Sequence, residues 1–233
     1  MNLLSIIVPV YNEKNTILTV VQKALEVPLP KDFSREIIIV DDGSTDGTRE
    51  SLNRFKSDSH VRIFPMSQNQ GKTAAVVKGL EEARGEVLLI QDADLEYDPK
   101  YYPALLEPII AGKSKVVYGS RFMGKIQGMT FINRWANRLS CLTINSIFHT
   151  KITDFHTGFK VFRKEVLVGI QIRSRHFSID TELTVKILKN GFSILEIPID
   201  YRARTKEEGK KITWAKAIES YCELLKHSFQ KSA

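Results

Sequence analysis

The stretch LLIQDADLEYDP, residues 88–99, places an apolar run directly before an acidic one. The run leads into four carboxylates, at Asp92, Asp94, Glu96 and Asp98. A short apolar run bounded by turn-forming residues is consistent with a buried strand, and carboxylates this close together are stable only when positive charge lies among them. The stretch therefore predicts a buried strand that ends in a site for a cation or a basic group.

Strand and helix patterns alternate on both sides of this stretch. Buried strands are predicted at residues 3–10, 36–40, 61–66, 86–91 and 115–121. Helices are predicted at residues 13–27, 46–55 and 72–83, and from Pro99 onward. This alternation, with short connections, predicts an α/β fold with a mostly parallel central sheet and helices on both faces.

The pattern changes after Arg121. Residues 122–129 contain two glycines and predict a flexible loop, and residues 130–148 predict an amphipathic helix. Short apolar segments at 158–163 and 193–204 flank a helix predicted at 180–191, and an amphipathic helix is predicted at 213–230. Without repeats or linkers, residues 1–233 are predicted to form one domain, with a first half (1–121) and a second half (122–233).

The composition describes a basic protein, with a net charge of +7 and a pI of about 9.3. Such a surface favours phosphates, nucleic acid or an anionic membrane as partners. The basic residues are not interleaved with aromatic platforms, which disfavours nucleic acid. Cys141 and Cys222 have neither metal-site spacing nor a disulfide framework, so a reducing compartment is predicted.

The sequence also bears on membrane insertion. No stretch reaches the ~18 to 20 apolar residues that a membrane helix requires. The N-terminal sequence MNLLSIIVPVYNE is apolar, but it lacks the basic region and the cleavage site of a signal peptide. A protein that is soluble, or that lies on a membrane surface, is therefore expected.

Three predicted strands end in residues that can carry chemistry. The first is followed by Tyr11 and Glu13, the second ends in VDDGSTDG and the fourth ends in QDADLE. Ligands of open α/β sheets bind at these carboxyl ends. No GxGxxG follows the first strand, and SQNQGKT lacks the first glycine of a phosphate-binding loop because Met66 stands there. The carboxylates instead suit a divalent cation that holds a diphosphate.

An Asp-x-Asp pair alone is a weak signal, because on composition a solvated turn is the favoured explanation. Here the pair follows a buried strand, and a second acidic pair, Asp41 and Asp42, follows another. The position of the two pairs therefore favours the cation site over the solvated turn.

Several motifs together resemble the family 2 inverting glycosyltransferases, which have the GT-A fold. They are SIIVPVYNE, IIIVDDGSTDGT, QGKTAAVVKGL, LLIQDADLEYDP and VVYGSRF. The later DFHTGFKVFR and EIPIDYRARTKEEGKKI are similar to the branch that contains dolichyl-phosphate mannose synthase and related polyprenyl-phosphate sugar transferases. The resemblance spans about residues 3–215. It implies an enzyme that moves a monosaccharide from a nucleotide sugar to a polyprenyl phosphate with the help of Mg²⁺ or Mn²⁺.

The resemblance implies roles for the matching positions. Asp92, Asp94 and Arg121 would be catalytic, and Asp92, Asp94 and Glu96 would bind the metal, with Glu96 standing where the synthases often carry Gln. The residues implied to bind a GDP- or UDP-linked sugar are Pro9, Tyr11, Glu13, Val40, Asp41, Asp42, Lys72, Asp92, Ala93, Asp94, Arg202 and Lys211. From the residues alone, Pro9 could simply end a strand, Tyr11 could pack in the core and Lys72 could be a solvated charge.

Arginines of the second half are candidates for the acceptor site. Arg134 and Arg138 are four positions apart, so they share a face of the predicted helix. An ordinary amphipathic helix with a solvated basic face is the alternative. The resemblance implies that Arg121 and Arg134, with Arg138 as a further candidate, bind the phosphate of a lipid acceptor. Peripheral attachment to the cytoplasmic face of a membrane is then expected.

Asp180 and Glu182 lie where many family 2 enzymes carry an acid that deprotonates a sugar hydroxyl. A phosphate monoester needs no such base, because its oxygens are already anionic at neutral pH. A positioning or helix-capping role is therefore predicted for both acids, and a structural role for His156. The basic residues between Arg202 and Lys211 would form a lid over the diphosphate.

Two other functions remain open from the sequence. A family 2 transferase with a sugar hydroxyl as acceptor, in cell-surface polysaccharide or glycan assembly, would need a general base. A catalytically silent protein that binds sugar nucleotides would share the donor site but would transfer nothing.

Overall fold

A seven-stranded sheet organises the chain in the computed structural model, which describes residues 2–174, 179–204 and 214–230, with the backbone alone for 214–218. The strands are β1 (Asn2–Val10), β2 (Phe33–Asp41), β3 (Val61–Pro65), β4 (Val87–Ile90), β5 (Val116–Ser120), β6 (Ile126–Gln127), β7 (Lys160–Arg163), β8 (Leu195–Pro198) and β9 (Tyr201–Arg202). The order in the large sheet is β3-β2-β1-β4-β7-β5-β8, and β6 pairs with β9 in a two-stranded sheet.

Parallel pairing dominates the large sheet, as predicted. β1 lies parallel to β2 and β4, β2 to β3, and β5 to β8, so the carboxyl ends of these strands meet along one edge. β7 is the exception, because it runs antiparallel to both β4 and β5. Its first residue, Lys160, lies opposite Ile90, the last residue of β4. The segment that enters β7 therefore reaches the same edge as the acidic end of β4.

Helices cover both faces of the sheet. They are α1 (Ile17–Glu26), α2 (Thr48–Leu52), α3 (Lys72–Glu82), α4 (Tyr102–Ile110), α5 (Phe131–Phe148), α6 (Ile179–Lys189) and α7 (Trp214–Phe229). α1 begins four residues later than predicted, because residues 13–16 form a turn in which Glu13 O accepts from Ile17 N at 3.0 Å. This turn leaves the Glu13 side chain at the carboxyl edge of the sheet rather than on the helix.

Residues 122–129 differ from the predicted loop, because they contain β6 and are bound to the segment around β9. Lys125 N donates to Asp200 Oδ1, and Tyr201 N donates to Lys125 O, both at 2.9 Å. A Cβ at Gly124 would collide with the Ile199 carbonyl oxygen. Gly124 therefore serves close backbone approach, and the partner strand that explains it lies some 75 positions away in the sequence.

Apolar side chains fill both faces of the sheet, because helices cover parallel strands on each side. Ile6 and Val8 of β1 point to the side of α1 and α4, whereas Ile7 points to the side of α3 and packs with Val76. A third cluster lies between α5, α6 and α7. In the described residues, no helix combines the length and the apolar character needed to cross a bilayer.

Candidate functional site

Acidic side chains from separate parts of the chain converge on one guanidinium at the carboxyl edge of the sheet. Glu13 follows β1, Asp94 and Glu96 follow β4, and Arg204 follows β9. Arg204 Nη1 lies 3.0 Å from Glu13 Oε1, and its Nη2 lies 2.7 Å from Asp94 Oδ2. The backbone amide of Arg204 donates to Glu96 Oε1 at 2.7 Å. These four residues are called the Arg204 cluster below.

The Arg204 cluster has more negative charge than its guanidinium neutralises. Burial raises the pKa of Asp94 to about 7, with further contributions from the charges of Asp92 and Glu96. Burial works to lower the pKa of Arg204, but the carboxylates outweigh it and raise that pKa. Among the described residues, the buried Nε of Arg204 finds no hydrogen-bond partner. Because three carboxylates face one guanidinium, the cluster can accept additional positive charge.

A second set of charges lies behind Asp92. Lys72 Nζ lies 2.6 Å from Asp92 Oδ1 and 4.0 Å from Asp180 Oδ2, and Lys160 Nζ lies 2.7 Å from Asp180 Oδ1. Burial works to raise the pKa of Asp180, but Lys160 and then Lys72 outweigh it and lower that pKa to about 2. Asp180 is therefore a permanent anion and a weak base.

Local structure holds the Asp92 carboxylate in one place. Lys72 is the first residue of α3, where a cation is unfavourable to the helix dipole. Burial also works to lower the pKa of Lys72, but Asp92 and then Asp180 raise it. On the other side, a Cβ at Gly158 would collide with Asp92 Oδ2 and with the Tyr97 ring. Gly158, in the segment that enters β7, thus leaves the room that the carboxylate occupies.

The acidic pair at the end of β2 is bound to its own chain. Asp42 accepts from the backbone amides of Gln70 and Gly71 at 2.7 and 2.8 Å. Asp41 Oδ2 lies 2.7 Å from Arg49 Nε. Both carboxyl groups are buried, and burial raises the pKa of Asp42. These contacts fix the turn after β2 against the segment before α3. A nucleotide could therefore bind only to the oxygen lone pairs of Asp41 and Asp42 that these contacts leave unused.

The other residues predicted for the donor site lie along the same edge. Pro9 and Val40 are buried opposite each other in neighbouring strands. Tyr11, just beyond β1, is 38% exposed and so is not part of the core. Ala93 is buried between the two acids, and its carbonyl oxygen accepts from Thr16 Oγ1 at 2.9 Å.

The basic segment after β8 contributes Arg204 to the acidic residues Glu13 and Asp94. Tyr201 and Ala203 are buried, whereas Arg202 is exposed, as the alternation of side chains along a strand dictates. Lys211 lies outside the described residues. The sequence identified the basic segment, but it did not indicate that Arg204 contacts Glu13 and Asp94, which lie 191 and 110 positions away.

Arg121 is fixed on the other side of the site. Its Nε and Nη2 lie 2.7 and 2.8 Å from the two carboxylate oxygens of Asp154. Asp154 is fully buried and Arg121 is 8% exposed. Burial works to lower the pKa of Arg121, but Asp154 outweighs it and raises that pKa. This two-point contact orients the guanidinium and leaves its Nη1 edge for a ligand oxygen.

Arg134 and Arg138 line one cavity of about 560 Å³ beside α5. Phe122 and Thr153, the chain neighbours of the fixed arginine–aspartate pair, also line it. Both arginines are exposed, and the described residues contain no ion pair with either. The outward face of α5 leaves large apolar side chains exposed: Phe131, Ile132, Trp135, Leu139 and Leu142. The structure therefore joins the predicted acceptor arginines to one apolar-walled cavity.

Glu182 and His156 make structural contacts. Glu182 Oε2 accepts from the backbone amides of Arg173 and Ser174 at 2.9 and 2.6 Å, so it anchors the segment before α6. His156 Nε2 lies 3.1 Å from Ser140 Oγ of α5. Burial lowers the pKa of His156 to about 4, so the ring is neutral at pH 7. These contacts agree with the structural roles predicted for both residues.

The carboxylates suit a hard divalent cation that also binds phosphate oxygens. Mg²⁺ commonly takes one or two protein carboxylates and completes its shell with substrate phosphates and water. In the part of the chain that the structure describes, no three Asp, Glu, His or Cys side chains are grouped as an all-protein metal site. Asp94 and Glu96 offer two carboxylates, and Arg204 stands where positive charge is needed. The residues present therefore fit a cation shared with a diphosphate.

Comparison with known proteins identifies a family model and several proteins that are similar to this chain. The family model described as "Glycosyl transferase family 2" matches residues 5–170. The chain is 30% identical over 215 residues to Dolichol-phosphate mannosyltransferase of Pyrococcus furiosus. The aligned region covers 88% of this chain and 58% of that protein. It is 29% identical over 210 residues to Undecaprenyl-phosphate 4-deoxy-4-formamido-L-arabinose transferase of Pseudomonas fluorescens. This aligned region covers 88% of this chain and 59% of that protein. The chain thus spans less than two thirds of the length of these relatives.

A solved structure confirms the expected GT-A fold. Glucosyl-3-phosphoglycerate synthase from Mycobacterium tuberculosis, in complex with Mn²⁺, UDP and phosphoglyceric acid, matches with a TM-score of 0.74. The match covers 100% of this chain and 80% of that one at 18% sequence identity. At this identity the similarity shows the fold alone.

Proposed function

The chain belongs to glycosyl transferase family 2, and we propose that it transfers a monosaccharide from a nucleotide sugar to the phosphate of a polyprenyl phosphate. One observation carries the proposal: the cavity lined by Arg134 and Arg138 adjoins the Arg121–Asp154 pair and lies beside an exposed apolar helix face. Arginines next to such a face suit a ligand with an anionic head and a hydrocarbon tail. Two relatives named for polyprenyl-phosphate acceptors support the same acceptor class.

The donor is proposed to be a GDP- or UDP-linked sugar that lies across the carboxyl ends of β1, β2 and β4. Ligands of open α/β sheets bind at such ends, and the similar mycobacterial structure holds UDP and Mn²⁺. Asp94 and Glu96, with Asp92 beside them, would hold a Mg²⁺ or Mn²⁺ ion. When bound, this ion supplies positive charge that stabilises the leaving diphosphate.

Arg204 and Lys72 would supply the protein's own share of that charge. The guanidinium of Arg204 now binds carboxylates, and the same fork of donors binds phosphate oxygens. Arrival of a diphosphate would therefore let Arg204 exchange one anionic partner for another. Lys72 is held by Asp92 and Asp180, so it would add its charge from a fixed position.

In the chemical step, an oxygen of the acceptor phosphate would attack the anomeric carbon of the sugar. The bond from that carbon to the diphosphate oxygen breaks as the new bond forms on the opposite face, so the configuration inverts. The acceptor has no proton to lose, because a phosphate monoester has a second pKa of about 6. Asp180, whose pKa the two lysines hold at about 2 against the effect of burial, would be a poor base for a sugar hydroxyl.

The exposed face of α5 is proposed to rest on the cytoplasmic surface of a membrane, where a polyprenyl acceptor would reside. Trp135 and Leu142, 55% and 61% exposed, would enter the interface, while Arg134 and Arg138 meet phosphate groups. Arginine stems can lie along apolar surface with their heads in the polar layer. Both features support a position for the acceptor phosphate at the mouth of the cavity.

The experiment that tests the function is transfer from a panel of GDP- and UDP-sugars to purified polyprenyl phosphate, with the lipid product identified by mass spectrometry. We expect one sugar to yield a polyprenyl-phosphate monosaccharide in the presence of Mg²⁺ or Mn²⁺. Arg134→Ala should reduce transfer. Arg54→Ala, which removes an exposed arginine that lines a separate cavity beside α1, should not.

A second variant separates the phosphate acceptor from the hydroxyl acceptor. Loss of a general base costs about 10²- to 10⁴-fold in rate, so Asp180→Asn should retain activity within about tenfold if the acceptor is a phosphate. Circular dichroism would confirm that the variant, which leaves two lysines without their carboxylate, is folded. A complete loss in folded Asp180→Asn together with full activity in Arg134→Ala would overturn the proposed acceptor.

A further inference from the structure

Tyr201 touches both sides of the proposed site. Its hydroxyl group donates to Glu96 Oε2 at 3.0 Å, on the side of the Arg204 cluster. Its ring lies under the guanidinium of Arg121, with 4.9 Å from the guanidinium carbon to the ring centroid. Tyr201 is 8% exposed, so both contacts are shielded from water. Among the residues described at the site, it joins a carboxylate that faces the donor to an arginine that faces the acceptor.

The position of Tyr201 is set by its backbone and its neighbours. Pairing of β9 with β6 brings Tyr201 N to the carbonyl oxygen of Lys125 at 2.9 Å. The preceding amide, Asp200 N, donates to the hydroxyl oxygen of Tyr101 at 2.9 Å. The ring of Tyr97 packs against the Tyr201 ring with centroids 5.6 Å apart. Since the ring is held from several directions, it can act as a fixed reference for the groups that touch it.

Arg121 depends on this ring for its orientation. Asp154 binds one edge of the guanidinium, which fixes that edge but leaves rotation about the line of the two contacts opposed only by packing. The aromatic face of Tyr201 supplies that packing and a cation–π attraction, which is strongest where water is excluded. Removal of the ring would therefore let the Nη1 edge, the part left for a phosphate, move.

Glu96 depends on the hydroxyl group for its orientation. Its Oε1 accepts from the backbone amide of Arg204, and its Oε2 accepts from Tyr201. The two donors together hold both oxygens of a carboxylate that the fold presents at the end of β4. Partners of this kind, which bind a ligating carboxylate from behind, tune metal affinity as well as geometry.

We propose that Tyr201 is a positioning residue that sets the acceptor arginine, Arg121, at a fixed distance from the donor-side carboxylate, Glu96. The proposal rests on the proposed function, because it assigns a phosphate to Arg121 and a cation to Glu96. Its consequence is that the hydroxyl group and the ring of one side chain serve different substrates. The two parts can be removed separately.

The test compares three variants of the full chain. Tyr201→Phe keeps the ring over Arg121 and removes the hydroxyl group, whereas Tyr201→Leu removes both. Tyr101→Phe is the matched control, because it removes the hydroxyl group that binds the neighbouring amide of Asp200 but touches neither Glu96 nor Arg121. The readouts are Mn²⁺ binding, followed by electron paramagnetic resonance with UDP or GDP present, and the KM and kcat for polyprenyl phosphate.

Tyr201→Phe should weaken Mn²⁺ binding by about tenfold, the lower end of the effect of such supporting partners, and leave the acceptor KM unchanged. Tyr201→Leu should weaken Mn²⁺ binding to the same extent and also raise the acceptor KM severalfold. Tyr101→Phe should change neither quantity by more than about twofold, since the backbone pairing with Lys125 and the ring of Tyr97 still hold Tyr201. If Tyr201 had only a structural role, its variants would not affect Mn²⁺ binding and the acceptor KM differently.

Wild-type Mn²⁺ binding in Tyr201→Phe would overturn the proposal, as would equal losses in Tyr201→Leu and Tyr101→Phe. If Tyr201→Leu fails to fold, Tyr201→Phe still decides, because it keeps the packed ring. If the wild-type protein transfers no sugar to polyprenyl phosphate but Tyr201→Phe still weakens Mn²⁺ binding, the proposed acceptor fails while the link to Glu96 stands. The two failures are thus distinguishable.

Discussion

The proposed donor edge, formed by the residues at the carboxyl ends of β1, β2 and β4, and the proposed acceptor helix, α5, carry charge in opposite ways. At the donor edge, Asp92 is paired with Lys72 and Asp94 is paired with Arg204, and all four side chains are largely shielded from water. On α5, Arg134 and Arg138 are exposed, and neither forms an ion pair within the described residues. The donor edge is therefore already occupied by the protein's own cations, whereas the acceptor arginines are open.

This difference predicts how each ligand binds. A cation and a diphosphate must displace or share the partners of Asp94, so donor binding is an exchange of ionic contacts. An acceptor phosphate only adds contacts to the α5 arginines, so its binding depends on their exposed charge. Arg121 belongs to neither pattern, because its partner Asp154 orients it without covering all of its donors.

The largest effect is expected for Asp154→Asn, which removes the partner of a buried arginine. Breaking a buried ion pair from one side costs about 3 to 5 kcal/mol, because the remaining charge is left uncompensated. The free energy of unfolding, measured by denaturant titration, should fall by that amount. Asp98→Asn, which alters a half-exposed pair with Lys23, should cost no more than about 1 kcal/mol. If the free energy of unfolding fell equally in the two variants, the Arg121–Asp154 pair would stabilise the fold no more than a half-exposed pair does.

Asp94→Asn should have the opposite signature, with a large loss of function and little loss of stability. Burial and neighbouring charges already disfavour the ionised form of Asp94, as its raised pKa of about 7 shows. A neutral isostere should therefore change the free energy of unfolding by no more than about 1 kcal/mol. Mn²⁺ affinity and sugar transfer should fall by more than about 100-fold, beyond the effect of supporting partners. If the variant kept the Mn²⁺ affinity of the wild-type protein, Asp94 would not be a metal ligand.

The contrast between the two regions was only partly predictable from the sequence. The order of strands and helices followed from alternating patterns, and it placed Asp92 and Asp94 at a carboxyl edge. The β7 exception did not follow, because a strand of four residues after a long helical segment can enter the sheet in either direction. Its antiparallel course is what brings Gly158 against Asp92.

Within the site, the local sequence pattern identified which types of residue are present better than it identified which residues contact one another. The predicted nucleotide contact of Asp42 stays a prediction, and the sequence did not indicate that its oxygens accept from Gln70 and Gly71, which are 28 and 29 positions away. The contacts of Arg204 could not be predicted, because they join it to Glu13 and Asp94, which are 191 and 110 positions away. Tyr201 gave no signal, since a tyrosine in an apolar strand is typical of a core. Such contacts are set by tertiary packing, which a local pattern does not contain.

A smaller effect is expected when the two exposed arginines are removed one at a time. Arg134→Ala and Arg138→Ala should each raise the KM for polyprenyl phosphate by about tenfold, the lower end for loss of a hydrogen bond to a charged group. The KM for the nucleotide sugar should stay constant, because neither arginine belongs to the donor edge. Stability should be retained, since both side chains are exposed. A change in the donor KM alone would contradict the division into two regions.

The smallest effect concerns pH, to which only one of the two regions should respond between pH 7.5 and 6.5. Because the pKa of Asp94 is raised to about 7, a proton increasingly occupies this carboxyl group as the pH falls, and it competes with a bound cation. For one linked proton, the affinity for Mn²⁺ alone should fall by about threefold across this interval. Paramagnetic resonance titrations at the two pH values would measure the change, and Asp94→Asn, which has no proton to exchange at this position, should show none of it. An affinity that rises as the pH falls would mean that another group controls the donor edge.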